Sequence, residues 1–141
     1  EAHSRGQKIV FTNGCFDIMH AGHVEYLMEA KSEGDLLVVA VNDDDSVHRL
    51  KGEGRPINPI ERRMSMLAAL EVVDWIVGFE EDTPEDLLKK LKPDVLVKGG
   101  DYSVEQVVGA EIVQAYGGVV KVLKLIEDCS TSALVEKIRE L

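Results

Sequence analysis

Basic residues are scarce in this chain: 16 Lys and Arg stand against 26 Asp and Glu in 141 residues, for a formal net charge of -10. That balance excludes a broad basic face of the kind that grips nucleic acid or an anionic membrane, so an anionic ligand has to be caught by a local cluster. Cysteine is nearly absent. Cys15 and Cys129 match no Cys-x-x-Cys metal or redox pattern, which fits free thiols in a reducing compartment. No apolar run approaches the roughly 20 residues of a membrane helix, and Glu1 to Lys8 is too polar for a signal peptide. A soluble cytoplasmic protein without a membrane partner is expected. There is no internal repeat, low-complexity tract or linker, no Ser-His-Asp order to suggest acyl transfer, and no set of metal ligands.

What is present is enough apolar residue, 45%, to bury a core of one ordinary domain over 1–141, with 1–7 as a flexible or linker end. Apolar runs and helical periods alternate. Strands are predicted at Ile9 to Thr12, Leu36 to Val41, Trp75 to Phe79, Val95 to Lys98 and Val119 to Leu125. Helices are predicted from Gly22 onward, with Val24, Leu27, Met28 and Ala30 toward the core, and at 44–50, 59–70, 104–116 and 130–141. A further helix opens at Thr83-Pro84, with Thr83 as N-cap and proline in the first turn, and Tyr116-Gly117-Gly118 reads as a helix stop. The fold class is therefore α/β: a single doubly wound, Rossmann-like parallel five-stranded sheet.

In such sheets ligands bind beyond the carboxyl ends of the strands. Four polar loops fall there, after strands one, two, four and five. The first, Phe11-Thr12-Asn13-Gly14-Cys15-Phe16-Asp17-Ile18-Met19-His20-Ala21-Gly22-His23, joins an apolar strand through a tight Asn-Gly exit to two histidines at a helix start. A helix N-terminus offers free N–H groups and a positive dipole end, and His20 and His23 can add donors to phosphate oxygens while Gly22 lets phosphate approach the backbone. Taken alone, a His-x-x-His pair on a helix reads as an accident or as half of a metal site, since i,i+3 spacing puts both rings on one face. The strand, the turn and the other loops turn the reading toward a nucleoside triphosphate.

Arg49, Lys51, Arg55, Arg62 and Arg63 gather five of the sixteen basic residues within fifteen positions. This run is either a solvated face or a phosphate-neutralising cluster, and Gly52, Gly54, Pro56 and Pro59 mark it as an irregular loop of the kind that closes over ligands. Asn42 follows strand two. Lys98-Gly99-Gly100-Asp101-Tyr102 follows strand four as either a plain turn or a close backbone approach to a nucleoside. Ser130-Thr131-Ser132 reads as an N-cap whose hydroxyls and N–H groups serve the helix or a phosphate.

The opening run resembles the signature of the nucleotidyltransferase superfamily that contains the cytidylyltransferases and pantetheine-phosphate adenylyltransferase, whose hallmark is His-x-Gly-His. Ser130-Thr131-Ser132 is similar to its Ile-Ser-Thr-Thr segment. With Leu50-Lys51-Gly52-Glu53-Gly54-Arg55-Pro56-Ile57-Asn58, Val73-Asp74-Trp75, Glu81-Asp82-Thr83-Pro84 and Lys98 to Tyr102, residues 8–141 resemble the adenylyltransferase domain of bacterial heptose-phosphate enzymes. The cytidylyltransferase Arg-Thr-Glu-Gly sequence is replaced by Leu125-Ile126-Glu127-Asp128, a departure from both groups at Asp128.

The resemblance implies transfer of AMP from ATP, carried with Mg²⁺, to D-glycero-β-D-manno-heptose 1-phosphate, giving ADP-heptose and pyrophosphate for lipopolysaccharide core synthesis. It implies a homodimer, fused to or acting after a sugar kinase. His20, His23, Lys51 and Arg63 are the implied catalytic residues. Thr12, Asn13, Gly14, Cys15, Phe16, Gly22, Lys98, Gly99, Asp101, Ser130, Thr131 and Ser132 join the histidines around the nucleotide. Asp17, Asn42, Lys51, Arg55 and Arg63 face the acceptor, with Asp17 orienting a ligand or the magnesium. The rival readings are a cytidylyltransferase acting on glycerol 3-phosphate or a similar polyol phosphate, and a non-catalytic nucleotide-binding module.

Overall fold

The computed structural model describes residues 2–101, 103–124 and 130–141. Five strands, β1 (Ile9–Gly14), β2 (Leu36–Asn42), β3 (Trp75–Phe79), β4 (Val95–Gly99) and β5 (Val119–Leu123), form one parallel sheet in the order β3-β2-β1-β4-β5. The chain lays β1, β2 and β3 outward in one direction, then returns to place β4 and β5 on the other side of β1. Because parallel crossovers are right-handed, that reversal moves the connecting helices to the opposite face and opens a crevice between β1 and β4.

Two apolar layers result. On one face, Leu27 and Ala30 of α1 (Ala21–Lys31) and Leu67 of α3 (Ile60–Ala68) pack on Val10, Leu37, Val39, Val41, Val95 and Val97. On the other, Leu88 of α4 (Glu85–Leu91) and Ala110 and Val113 of α5 (Ala110–Ala115) cover Phe11, Val38, Ala40, Leu96 and Val120. Strands buried on both faces explain why Ile9–Phe11 of β1, Leu36–Val41 of β2 and Val95–Val97 of β4 read as unbroken apolar runs instead of alternating. Gly78 in β3 faces Ile60 so closely that a Cβ would lie 3.1 Å from Ile60 Cδ1. The remaining helices, α2 (Asp44–Lys51) and α6 (Thr131–Arg139), start beside the carboxyl edge of the sheet.

The expected elements appear, with local corrections. Met28 is exposed, because only Leu27 and Ala30 lie on the inward stripe of α1, with Val24 half-buried. Pro84, not Thr83, occupies the N-cap of α4, and the Thr83 hydroxyl bonds Glu85 instead. The single helix expected over 104–116 is a 3-10 turn at Val104–Gln106 followed by α5. The break falls at Gly109, whose φ of +92 is left-handed and whose Cβ, if present, would meet Leu88 Cδ1 at 2.3 Å. Ser130 does cap α6, accepting from Ala133 N at 3.0 Å. Tyr102, the end of the fifth strand at Leu125, the departure at Asp128, and Cys129 lie outside the described residues.

Candidate functional site

A cleft of about 690 Å³ opens at the carboxyl ends of the strands, bounded by loops after all five. Its floor is the run from Asn13 to His23 leaving β1. His20 caps α1: its Nδ1 accepts from Gly22 N at 3.1 Å, while His20 N donates to His23 Nδ1 at 3.2 Å. With both Nδ1 atoms accepting, the neutral rings carry their protons on Nε2, so each presents an N–H donor at the start of a helix. The rings stack with centroids 3.9 Å apart. Burial pulls His20 below its usual value, and burial together with His20 alongside takes His23 down to about 4. Near neutral pH the pair is an uncharged double donor, suited to phosphate oxygens.

Cationic groups stand around this floor. Lys98 reaches in from β4, with Nζ donating to Asn13 O at 3.1 Å, and burial lowers its pKa. The thiol of Cys15 lies opposite Asn42, and burial pushes its pKa up against the pull of the surrounding cations, so it stays protonated at neutral pH. Lys51 ends α2 on the cleft wall, and the arm 52–58 continues from it.

Arg55, on that arm, is anchored from below. Asp17, 2% exposed, accepts from Arg55 Nε at 2.7 Å and from the backbone N–H of Ile57 and of Asn58 at 2.9 Å each. Burial by itself would raise the Asp17 pKa, but the Asn58 and Ile57 amides and the Arg55 guanidinium outweigh it and keep the carboxylate ionised. Asp17 therefore faces the arm, and the expected direct hold on a ligand or magnesium is replaced by a hold on Arg55.

Arg63 is the clearest correction. Expected at a phosphate, it is 1% exposed and lies under the cleft. Its Nη1 donates to Cys15 O and Asn42 O at 2.7 Å each, Nε to Asn58 O at 2.9 Å and Nη2 to Asp44 at 2.7 Å. One guanidinium thus joins the loops after β1 and β2 to the arm. Thr12 is also beneath the floor, fully buried with its hydroxyl on Tyr26 at 2.6 Å. Asp101 is exposed and does not line the cleft.

The other expected residues, Asn13, Gly14, Cys15, Phe16, Gly22, Asn42, Gly99, Ser130, Thr131 and Ser132, do line it. Thr131 also donates to Ile18 O at 3.1 Å, bringing the α6 N-terminus against the histidine run. Sequence reasoning missed Asp82, Thr83 and Pro84 after β3, and Gln106, Val107 and Val108 after β4. The first three were findable, since the rule that placed the other loops on the rim applies equally to the loop after strand three. Arg49 fixes that loop by donating to Asp82 at 2.9 Å and to Glu80 O at 2.6 Å.

Residues 11–137 match the model of a family described as cytidylyltransferase-like. Curated proteins called bifunctional protein HldE are 68% identical over 139 residues in Ectopseudomonas mendocina and 67% identical over 140 residues in Alcanivorax borkumensis. Each alignment covers 99% of this chain but 29% of the relative, so the chain spans less than a third of their length. Among solved structures, a lipopolysaccharide core biosynthesis protein from Thermoplasma volcanium superposes with a TM-score of 0.68 at 33% identity, over 86% of this chain and 98% of that one. A pantoate-beta-alanine ligase from Francisella tularensis, with a TM-score of 0.59 at 17% identity over 97% of this chain and 72% of that one, shares the fold.

Proposed function

The chain belongs to the cytidylyltransferase-like family, and from that premise we propose that it transfers the adenylyl group of MgATP to D-glycero-β-D-manno-heptose 1-phosphate. An oxygen of the sugar phosphate attacks the α-phosphorus, the bond from that phosphorus to the bridging oxygen breaks, and pyrophosphate leaves as ADP-heptose forms. The carrying observation is one cleft that holds two neutral imidazole donors at a helix start, with Lys98 on one side and Lys51 and Arg55 on the other. Transfer at phosphorus is accelerated mainly by positioning and by neutralising charge, which this equipment provides.

In this reading the nucleotide occupies the β1, β4 and β5 side, with its triphosphate over His20 and His23. The acceptor occupies the β2 and β3 side, where Lys51 and Arg55 meet its phosphate and Asp82 and Thr83 face its hydroxyls. Mg²⁺ enters as part of the substrate. No group of three His, Cys, Asp or Glu among the described residues could cage a metal, and the cleft carboxylates Asp17 and Asp82 already hold Arg55 and Arg49. A cation bound through phosphates and water fits such a site.

Heptose as the acceptor is supported by the loop sequences at 50–58 and 97–102, by relatives called bifunctional protein HldE, and by a structural neighbour titled as a lipopolysaccharide core protein. The same reading carries a homodimer acting in the cytoplasm after a sugar kinase, and sedimentation of the chain tests the oligomer.

The decisive experiment crosses ATP and CTP with heptose 1-phosphate, glycerol 3-phosphate and phosphopantetheine and reads pyrophosphate. ATP with heptose 1-phosphate is the expected pair, and a preference for CTP overturns the assignment. Labelled pyrophosphate should not exchange into ATP without acceptor, because direct attack forms no adenylyl-enzyme.

A further inference from the structure

We propose that Asp17 is the positioning residue that fastens the acceptor-phosphate arm to the histidine run, so that Arg55 is presented to the acceptor already in place. The proposal rests on the functional reading above. The arm has little rigidity of its own near its start: Gly52 and Gly54 have φ of +94 and +80, and a Cβ at either would meet nothing within 4 Å. Its order comes from the far end. Arg55, Ile57 and Asn58 all donate to the Asp17 carboxylate, and the Asn58 side chain donates to Asp17 O at 2.7 Å. Arg63 closes the ring by donating to Asn58 O and to Cys15 O.

Arg55 is held by one edge only. Its Nε is on Asp17, its side chain is 16% exposed in the cleft wall, and neither Nη has a partner among the described residues. A guanidinium pinned at Nε with its outer edge free is pre-organised to meet a phosphate, since little side-chain freedom remains to be lost on binding. Asp17 lies on the same run as His20, so the acceptor's cation and the imidazole donors are fixed in one frame. Such a frame serves an in-line displacement, where the attacking oxygen must be held against the α-phosphorus.

The test is Asp17→Asn, which keeps the shape and removes the charge. The acceptor KM should rise about ten- to a hundredfold, the loss expected from charge-assisted hydrogen bonds, while the KM for ATP stays within about threefold. Amide exchange at Ile57 and Asn58 should accelerate while Val39 in the sheet stays protected. If Asp17 acts through Arg55, the substitution has little further effect on acceptor KM in an Arg55→Ala background. Equal rises in both KM values, unchanged exchange at Ile57 and Asn58, or full additivity with Arg55→Ala overturns the proposal. Should Asp17→Asn fail to fold, Asn58→Ala removes one strut of the same clasp and is expected to shift acceptor KM in the same direction by less; no shift counts against the proposal. If the wild type makes no ADP-sugar, the functional reading fails by itself, and calorimetric binding of the sugar 1-phosphate to wild type and variant decides the role of Asp17.

Discussion

Replacing Arg63 by methionine separates two roles that sequence cannot tell apart. A phosphate ligand at a cleft surface could be removed with little loss of stability, whereas a buried hub could not. Methionine keeps the aliphatic stem but leaves Cys15 O, Asn42 O and Asn58 O without their donor. Each buried acceptor left unsatisfied costs roughly 1–3 kcal/mol. Asn42 is 3% exposed, so its carbonyl pays the larger share, while Cys15 and Asn58 adjoin the cleft and can recruit water. Asp44, with its side chain 44% exposed, rehydrates and adds little. The expected loss is therefore about 3–5 kcal/mol, in the lower half of the roughly 3–9 kcal/mol that three full penalties would sum to. For a chain of this size that lowers Tm by roughly 10–20 °C and takes a large fraction of a typical stability of about 5–15 kcal/mol. Urea unfolding followed by circular dichroism measures it, with m unchanged if only stability has moved. Arg63→Lys retains the charge without the fork and should recover only part of the loss. A fall of less than about 1 kcal/mol alongside a large loss of turnover would refute the hub and return Arg63 to the phosphates.

Alanine in place of His20 or His23 should lower kcat by roughly 10² to 10⁴ in steady-state assays, the usual cost of losing one transition-state donor. Retention of near-full activity by either variant would leave that ring with a capping role only. Lys51→Ala should raise the KM for the sugar phosphate more than that for ATP, by about 1.5–3 kcal/mol at low salt, with a smaller difference at high salt. In the free protein the His23 ring should titrate in NMR with a midpoint near 4, as burial and His20 dictate. Because the folded value lies below that of the unfolded chain, its contribution to stability is present above about pH 6.5 and is lost as pH falls toward 4. A midpoint above 6 would contradict the buried, neutral pair.

The elements were legible because their signals are local. Leu36 to Val41 and Val95 to Val97 are apolar on both sides of the pleat, and that alone marks strands covered by helices on two faces. His20 and His23 were placed at a helix start by a strand, an Asn-Gly exit and an apolar helical stripe within one short run, and that is where they lie. Ser130 was read correctly as a cap for the same reason, since its partner, Ala133, is on the same turn.

Other features had no local signal. The break in the helix before α5 depends on Leu88, which arrives from α4 and closes on Gly109, so a period count along 104–116 could not register it. Arg63 and Arg55 sit in one basic run and look alike in sequence. The fold gives them opposite settings because Arg63 projects from α3 beneath the loops after β1 and β2, where three carbonyls converge, and Arg55 projects from the arm with neither Nη partnered among the described residues. Asp17 was expected to orient a ligand or the magnesium, because its partners Arg55, Ile57 and Asn58 lie about forty residues away and leave no local trace. Periodicity and turn chemistry, which act between near neighbours, determined the strands, the helices and the rim on which a ligand can sit. Which cation is a buried strut and which faces the ligand depends on contacts between residues far apart in the chain, and only packing decides that.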